Sequence, residues 1–90
     1  GLPIAGVVTD DAGKVVPGVR LALAGVEDGA AAGATVTRGG GTDGGGAFRF
    51  TALRSGRYTL TLTRKGFAPL AVPLRGGEDR LRLVLAASKS

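Results

Sequence analysis

The sequence contains no cysteine and no histidine, and these two absences exclude several kinds of functional site. Without cysteine, the chain has neither a disulfide framework nor a thiolate metal site. Without histidine, it lacks the commonest general base and the commonest nitrogen ligand for zinc. We therefore predict no catalytic residue, no metal site and no cofactor, and we do not expect an enzyme.

Other residue types are absent or scarce. Asparagine is missing, so there is no N-glycosylation sequon. Methionine is missing as well, and we expect either a processed mature protein or a domain cut from a longer chain. Only four residues are aromatic, namely Phe48, Phe50, Tyr58 and Phe67. Valine, leucine and alanine must therefore fill the core. No apolar run approaches the roughly 20 residues of a membrane-spanning helix, and we expect no membrane insertion.

The 90 residues that are present suffice for one domain. Apolar and polar residues alternate with a period of two, and glycine-rich turns separate the alternating runs. This pattern predicts seven short strands and no helix, which is typical of a two-sheet β-sandwich. The predicted strands span residues 2–9, 19–24, 35–38, 47–51, 57–64, 67–74 and 79–85.

The segments between the strands also carry predictions. Residues 25–34 are predicted to form a loop, because their glycines weaken a helix. Residues 39–46, almost all glycine, are predicted to form a flexible connection. Pro69 and Pro73 lack backbone N–H groups, which predicts that the strand containing them is an edge strand or is broken. We assign residues 1–85 to the domain and residues 86–90 to a frayed tail.

Several segments together resemble a known family. Residues 4–10 read IAGVVTD, and Gly13 and then PGVRL at 17–21 follow. Residues 42–50, TDGGGAFRF, fit the pattern T-D-x-x-G-x-F-x-F, and residues 53–60, LRSGRYTL, fit L-x-x-G-x-Y-x-L. In this order and spacing, the segments resemble carboxypeptidase regulatory-like domains.

The resemblance implies an all-β fold, a seven-stranded transthyretin-like (prealbumin-like) β-sandwich with Greek-key connections. It also implies an accessory module, similar to Cna B-type stalk domains, that belongs to a secreted, periplasmic or cell-surface protein. Hydroxyisourate hydrolases share the architecture, but that family relies on histidines and a C-terminal Tyr-Arg-Gly-Ser. This chain has no histidine and ends in Ala-Ser-Lys-Ser, so their activity is not expected.

The remaining candidate chemistries have simpler explanations. The acidic residues are predicted to lie mostly in turns, where aspartate caps backbone N–H groups. Residues 39–44 match G-x-G-x-x-G, but a strand follows them where a nucleotide site needs a helix. An internal isopeptide bond would need Lys14 or Lys65 to be buried, and both are predicted to lie in turns. The basic residues are spread along the chain, which argues against nucleic-acid binding.

Twelve basic residues against seven acidic ones give a net charge of +5. Several arginines alternate with core residues on predicted strands. We treat these arginines as the candidate binding face: Arg20, Arg49, Arg57, Arg80 and Arg82. Our leading interpretation is a non-catalytic spacer or protein-docking module that contacts other domains of its parent or a surface protein.

Two alternative functions remain open. In the first, the basic face binds acidic glycans. In the second, the domain is a subunit of a strand-exchanged surface assembly. That alternative depends on the proline-interrupted strand 67–74 and on a free first strand at 2–9.

Overall fold

A computed structural model describes residues 2–29 and 35–88, and it confirms the all-β prediction. Seven strands and no helix occur in these residues. The strands are β1 (Leu2–Asp10), β2 (Arg20–Glu27), β3 (Val36–Gly41), β4 (Ala47–Leu53), β5 (Gly56–Thr63), β6 (Leu70–Arg75) and β7 (Leu81–Leu85). The described part of the chain therefore holds no long apolar helix of the kind that crosses a membrane.

The strands form two sheets that enclose one core. One sheet has three strands in the order β4-β1-β7, and the other has four in the order β3-β2-β5-β6. The arrangement is consistent with the predicted β-sandwich, whereas the Greek-key description of its connections stays a prediction.

Alternation along the strands explains how the core forms. On β5, Tyr58, Leu60 and Leu62 are buried, and the residues between them face outward. Leu21 and Leu23 on β2 are buried in the same way and pair with Leu62 and Leu60. Because each fully buried leucine contributes roughly 2 kcal/mol, the paired rows are a main source of stability.

Two predicted loops are partly strand. β2 continues through Gly25 to Glu27, and β3 continues through the glycines to Gly41, because both segments pair with a neighbouring strand. The prediction of a flexible connection starting at residue 39 was therefore wrong for residues 39–41. A Cβ at Gly40 would lie 3.3 Å from the ring of Phe50, so the missing side chain makes room for that ring. The rest of the predicted 25–34 loop includes residues 30–34, which lie outside the described residues.

The first strand is not free. β1 is the central strand of its sheet, antiparallel to β4 and parallel to β7. The prediction of a free first strand was wrong, because both of its edges are already paired. The prediction for the proline-containing strand was right: β6 begins after Pro69 and forms an edge of the four-stranded sheet, where Pro73 pairs with Thr59.

Residues 86–88 of the predicted frayed tail contact the segment before β6. Ala68 N–H donates to the carbonyl of Ala86 at 2.9 Å, and Ser88 N–H donates to the carbonyl of Gly66 at 3.0 Å. Residues 89 and 90 lie outside the described residues.

Candidate functional site

The two sheets separate the five arginines of the candidate binding face. Arg49 on β4, Arg82 on β7 and Arg80 just before β7 lie beside the three-stranded sheet. Arg20 and Arg57 belong to the other sheet. The register pairs Arg20 with Thr63 and Arg57 with Val26, which places them about 20 Å apart. The structure therefore does not bring all five onto one face, because sheet membership depends on pairing between distant strands.

Arg49, Arg80 and Arg82 line an open groove of about 660 Å³ over the three-stranded sheet, which we call the arginine groove. Its floor includes Ala5 and Val7 of the central strand. Ala5 pairs with Arg49 on one side, and Val7 pairs with Arg82 on the other. The two arginines thus flank a floor of short side chains, with their Cα atoms roughly 12 Å apart.

The arginines of this groove have no ion-pair partner within residues 2–29 and 35–88. The one ion pair found there joins Arg54 Nε to Glu27 Oε2 at 3.6 Å, and it lies elsewhere. Asp43 and Asp79 also line the groove. However, Asp43 Oδ1 accepts hydrogen bonds from the N–H groups of Gly45 and Ala47, at 2.9 and 3.0 Å. That carboxylate is therefore already engaged in its own turn.

A second basic cluster lies at one end of the four-stranded sheet. Arg20, Arg64 and Lys65 line a smaller groove of about 370 Å³ together with Phe67 and Pro69, and we call it the hairpin site. Sequence reasoning missed Arg64 and treated Lys65 only as a turn residue. The adjacent basic pair at the end of β5 was the available signal, but its proximity to Arg20 depends on the register of β2 against β5.

Asp10 and Asp43 cap turns, as predicted for acidic residues at such places. Asp10 Oδ1 accepts from the N–H groups of Ala12 and Lys14, both at 2.9 Å. In the described ranges 2–29 and 35–88, no group of three or more metal-ligating side chains lies together. The two aspartates that share the arginine groove, Asp43 and Asp79, do not form a pair for acid–base chemistry, because the Asp43 carboxylate is held by its own turn.

Among residues 2–29 and 35–88, Tyr58 is the one whose pKa clearly departs from its usual value. Burial raises the pKa of its hydroxyl, and the nearby carboxylate of Glu27 raises the pKa further. The hydroxyl donates a hydrogen bond to the carbonyl of Arg54 at 2.8 Å. Tyr58 therefore keeps its proton near neutral pH and acts as a core residue with one satisfied polar atom.

A match to a protein-family model identifies the family. The model described as "Carboxypeptidase regulatory-like domain" matches residues 3–86, almost the whole chain. The chain belongs to this family. Carboxypeptidase regulatory-like domains are non-catalytic accessory β-sandwich modules, and this membership confirms the resemblance seen in the sequence. A search of curated proteins found no match.

Among solved structures, the regulatory-like domain is similar to the crystal structure of chlorocatechol 1,2-dioxygenase from Pseudomonas putida. The TM-score is 0.65 at 14% sequence identity, and the match covers 98% of this chain but 60% of the dioxygenase chain. At this identity the likeness shows the fold alone, and it carries no activity over to this domain.

Proposed function

We propose that this domain is a protein-docking module and that the arginine groove is its working surface. The partner is an acidic, extended segment of a protein, either a neighbouring domain or a separate surface protein. One observation carries the proposal: Arg49, Arg80 and Arg82 surround a floor of short side chains and have no ion-pair partner in the described part of the chain.

The shape of the groove supports an extended partner. Ala5 and Val7 are too short to hold a partner away from the sheet, so a chain segment can lie along β1 between Arg49 and Arg82. Acidic side chains of that segment reach the guanidinium groups on both sides. Arginine suits this role because its planar group binds carboxylates with paired hydrogen bonds.

The charge of the groove supports an acidic partner over a neutral one. Three arginines face two aspartates, and the carboxylate of Asp43 already accepts two backbone hydrogen bonds. Complementary charge across such a surface directs the choice of partner and raises the association rate. Family membership is compatible with a docking role, since the family consists of non-catalytic accessory modules.

The test measures binding of a fluorescein-labelled peptide in which glutamate and valine alternate. An Arg49→Ala, Arg82→Ala variant is compared with an Arg57→Ala, Arg75→Ala variant. Arg57 and Arg75 pair across strands on the other sheet, so the two variants lose the same charge in different places. A peptide with lysine in place of glutamate controls for non-electrostatic attraction.

We expect the first variant to weaken peptide binding about ten-fold or more, since hydrogen bonds to charged groups are worth roughly 1.5–3 kcal/mol each. The control variant should bind within about two-fold of the unmodified domain, because net charge alone acts weakly at physiological salt. Equal weakening in both variants would show that overall charge, and not the arginine groove, is responsible for peptide binding. No binding by the unmodified domain would leave it as a spacer.

A further inference from the structure

We propose that the hairpin site binds the phosphate or sulfate ester of a small sugar. This site is separate from the arginine groove and lies on the other sheet, so the proposal does not depend on docking at that groove. The oxyanion contacts Arg20, Arg64 and Lys65, and the sugar ring lies against Phe67 and Pro69.

The register of two strands brings the three cations together. Arg20 begins β2 and pairs directly with Thr63, the last residue of β5. Arg64 and Lys65 follow at once, and Phe67 N–H donates to the carbonyl of Arg64 at 3.0 Å to close a tight turn. The turn therefore holds a basic pair beside an arginine that lies more than 40 residues earlier in the sequence.

The Arg64 side chain is already held in place. Its Nε donates a hydrogen bond to the carbonyl of Pro17 at 3.1 Å. The segment that contains Pro17 is itself fixed, because Gly18 N–H donates to the carbonyl of Thr42 at 3.2 Å, and the Thr42 hydroxyl donates to Val16. The Nη groups of Arg64 remain available, so less conformational entropy is lost when an anion binds.

The charge of the site lacks an internal balance. None of the residues that line it is acidic, and no ion pair in the described ranges involves Arg20, Arg64 or Lys65. Three like charges around one small groove repel one another. A dianionic phosphate or a sulfate relieves this repulsion and accepts charge-assisted hydrogen bonds from the same groups.

The surroundings of the cations indicate what carries the anion. Phe67 is half-buried, Pro69 is exposed, and Thr63 offers a hydroxyl group. Such a surface suits the mixture of C–H groups and hydroxyl groups on a sugar ring. The volume of about 370 Å³ lies near the lower end of the range for small-molecule sites, which favours a single ring over a long polymer.

The experiment is a titration of the isotope-labelled domain followed by amide chemical shifts. The probes are inorganic phosphate, inorganic sulfate, glucose 6-phosphate, glucose 6-sulfate and glucose. We expect both esters to shift the amides of residues 63–67, to bind more tightly than the inorganic ions and to compete with each other. Glucose alone should cause no shift. The two esters distinguish a phosphate source from a sulfate source.

Two matched variants test the assignment. Arg20→Ala, Arg64→Ala should weaken ester binding about ten-fold or more, whereas Arg57→Ala, Arg75→Ala removes the same charge elsewhere and should leave it within about two-fold. Arg64→Lys keeps the charge but loses the Nε contact with Pro17, and it should give an intermediate loss. Thermal unfolding of each variant checks that the fold is intact.

Three results would overturn the proposal. The first is an absence of shifts with either ester. The second is an equal loss of binding in the two double variants. The third is equal affinity for the esters and the inorganic ions, which would remove the role of the sugar ring. None of these results bears on peptide binding at the arginine groove, so the two proposals fail separately.

Discussion

The sequence Thr-Asp-x-x-Gly occurs twice, at residues 9–13 and 42–46, and both copies form the same turn. In each turn, one aspartate oxygen accepts hydrogen bonds from the N–H groups two and four residues later. In each, the glycine N–H also donates to the aspartate carbonyl at 3.0 Å. Local sequence therefore determines the turn, whichever part of the fold it serves.

The surroundings of the two turns differ. Thr42 is buried, its hydroxyl accepts from Val19 N–H at 2.9 Å and donates to the carbonyl of Val16 at 2.9 Å. Its backbone bonds to the same segment, and the turn after it leads from one sheet to the other. Thr9 instead lies near the end of β1, and its turn is exposed. The second turn thus joins the two sheets, whereas the first only reverses the chain.

Replacing the two turn glycines should give the largest contrast. Gly46 is buried with φ of 74°, and a Cβ there would lie 2.7 Å from the carbonyl oxygen of Val8. Gly13 has φ of 84° but open space around it. We expect Gly46→Ala to lower the free energy of unfolding by about 3 kcal/mol or more, and Gly13→Ala by about 1–2 kcal/mol. Urea unfolding measures both losses. Equal losses would show that the positive φ alone sets the cost and that the space around each glycine does not contribute.

Replacing the two threonines should give the next largest contrast. Thr42→Val removes both hydroxyl hydrogen bonds and leaves the Val19 N–H and the Val16 carbonyl with one partner fewer. We expect a loss of about 2–3 kcal/mol in the free energy of unfolding. Thr9→Val should change it by less than about 0.5 kcal/mol, because Thr9 is half-buried near a strand end and valine suits such a position as well. Similar losses at both positions would contradict the role given to Thr42.

Replacing the two aspartates should give no contrast. Asp10→Ala and Asp43→Ala each remove an exposed carboxylate that accepts two backbone hydrogen bonds. We expect each to lower the free energy of unfolding by about 1 kcal/mol, as at comparable capping positions, and to agree within about 0.5 kcal/mol. A clearly larger loss at Asp43 would mean that its carboxylate also supports the junction between the sheets.

Local features of the fold could be predicted from the sequence. Alternation identified all seven strands, and β5 shows why, since its buried residues recur at every second position. The extension of β3 through Gly39 to Gly41 was missed, because glycines have no side chains to alternate and enter the sheet through backbone pairing with β2.

Long-range pairing could not be predicted, and the candidate sites depend on it. Nothing in the segment 2–9 indicates that β1 lies between β4 and β7. For the same reason, the prediction grouped Arg20 and Arg49 in one candidate binding face, although they belong to different sheets. Arg64 was missed because its side chain is held by a hydrogen bond to the carbonyl of Pro17, which lies far away in the sequence.

The parallel pairing of β1 with β7 has a mechanical consequence. These are the first and the last strand along the chain, and they run side by side. Their residue pairs extend from Gly6 with Leu81 to Asp10 with Leu85. If the chain is pulled from its two ends, these strands are drawn in opposite directions along their length. The hydrogen bonds between them are then loaded together in shear instead of opening one after another. Under such a load, the pairing of β1 with β7 resists as one unit and does not unzip.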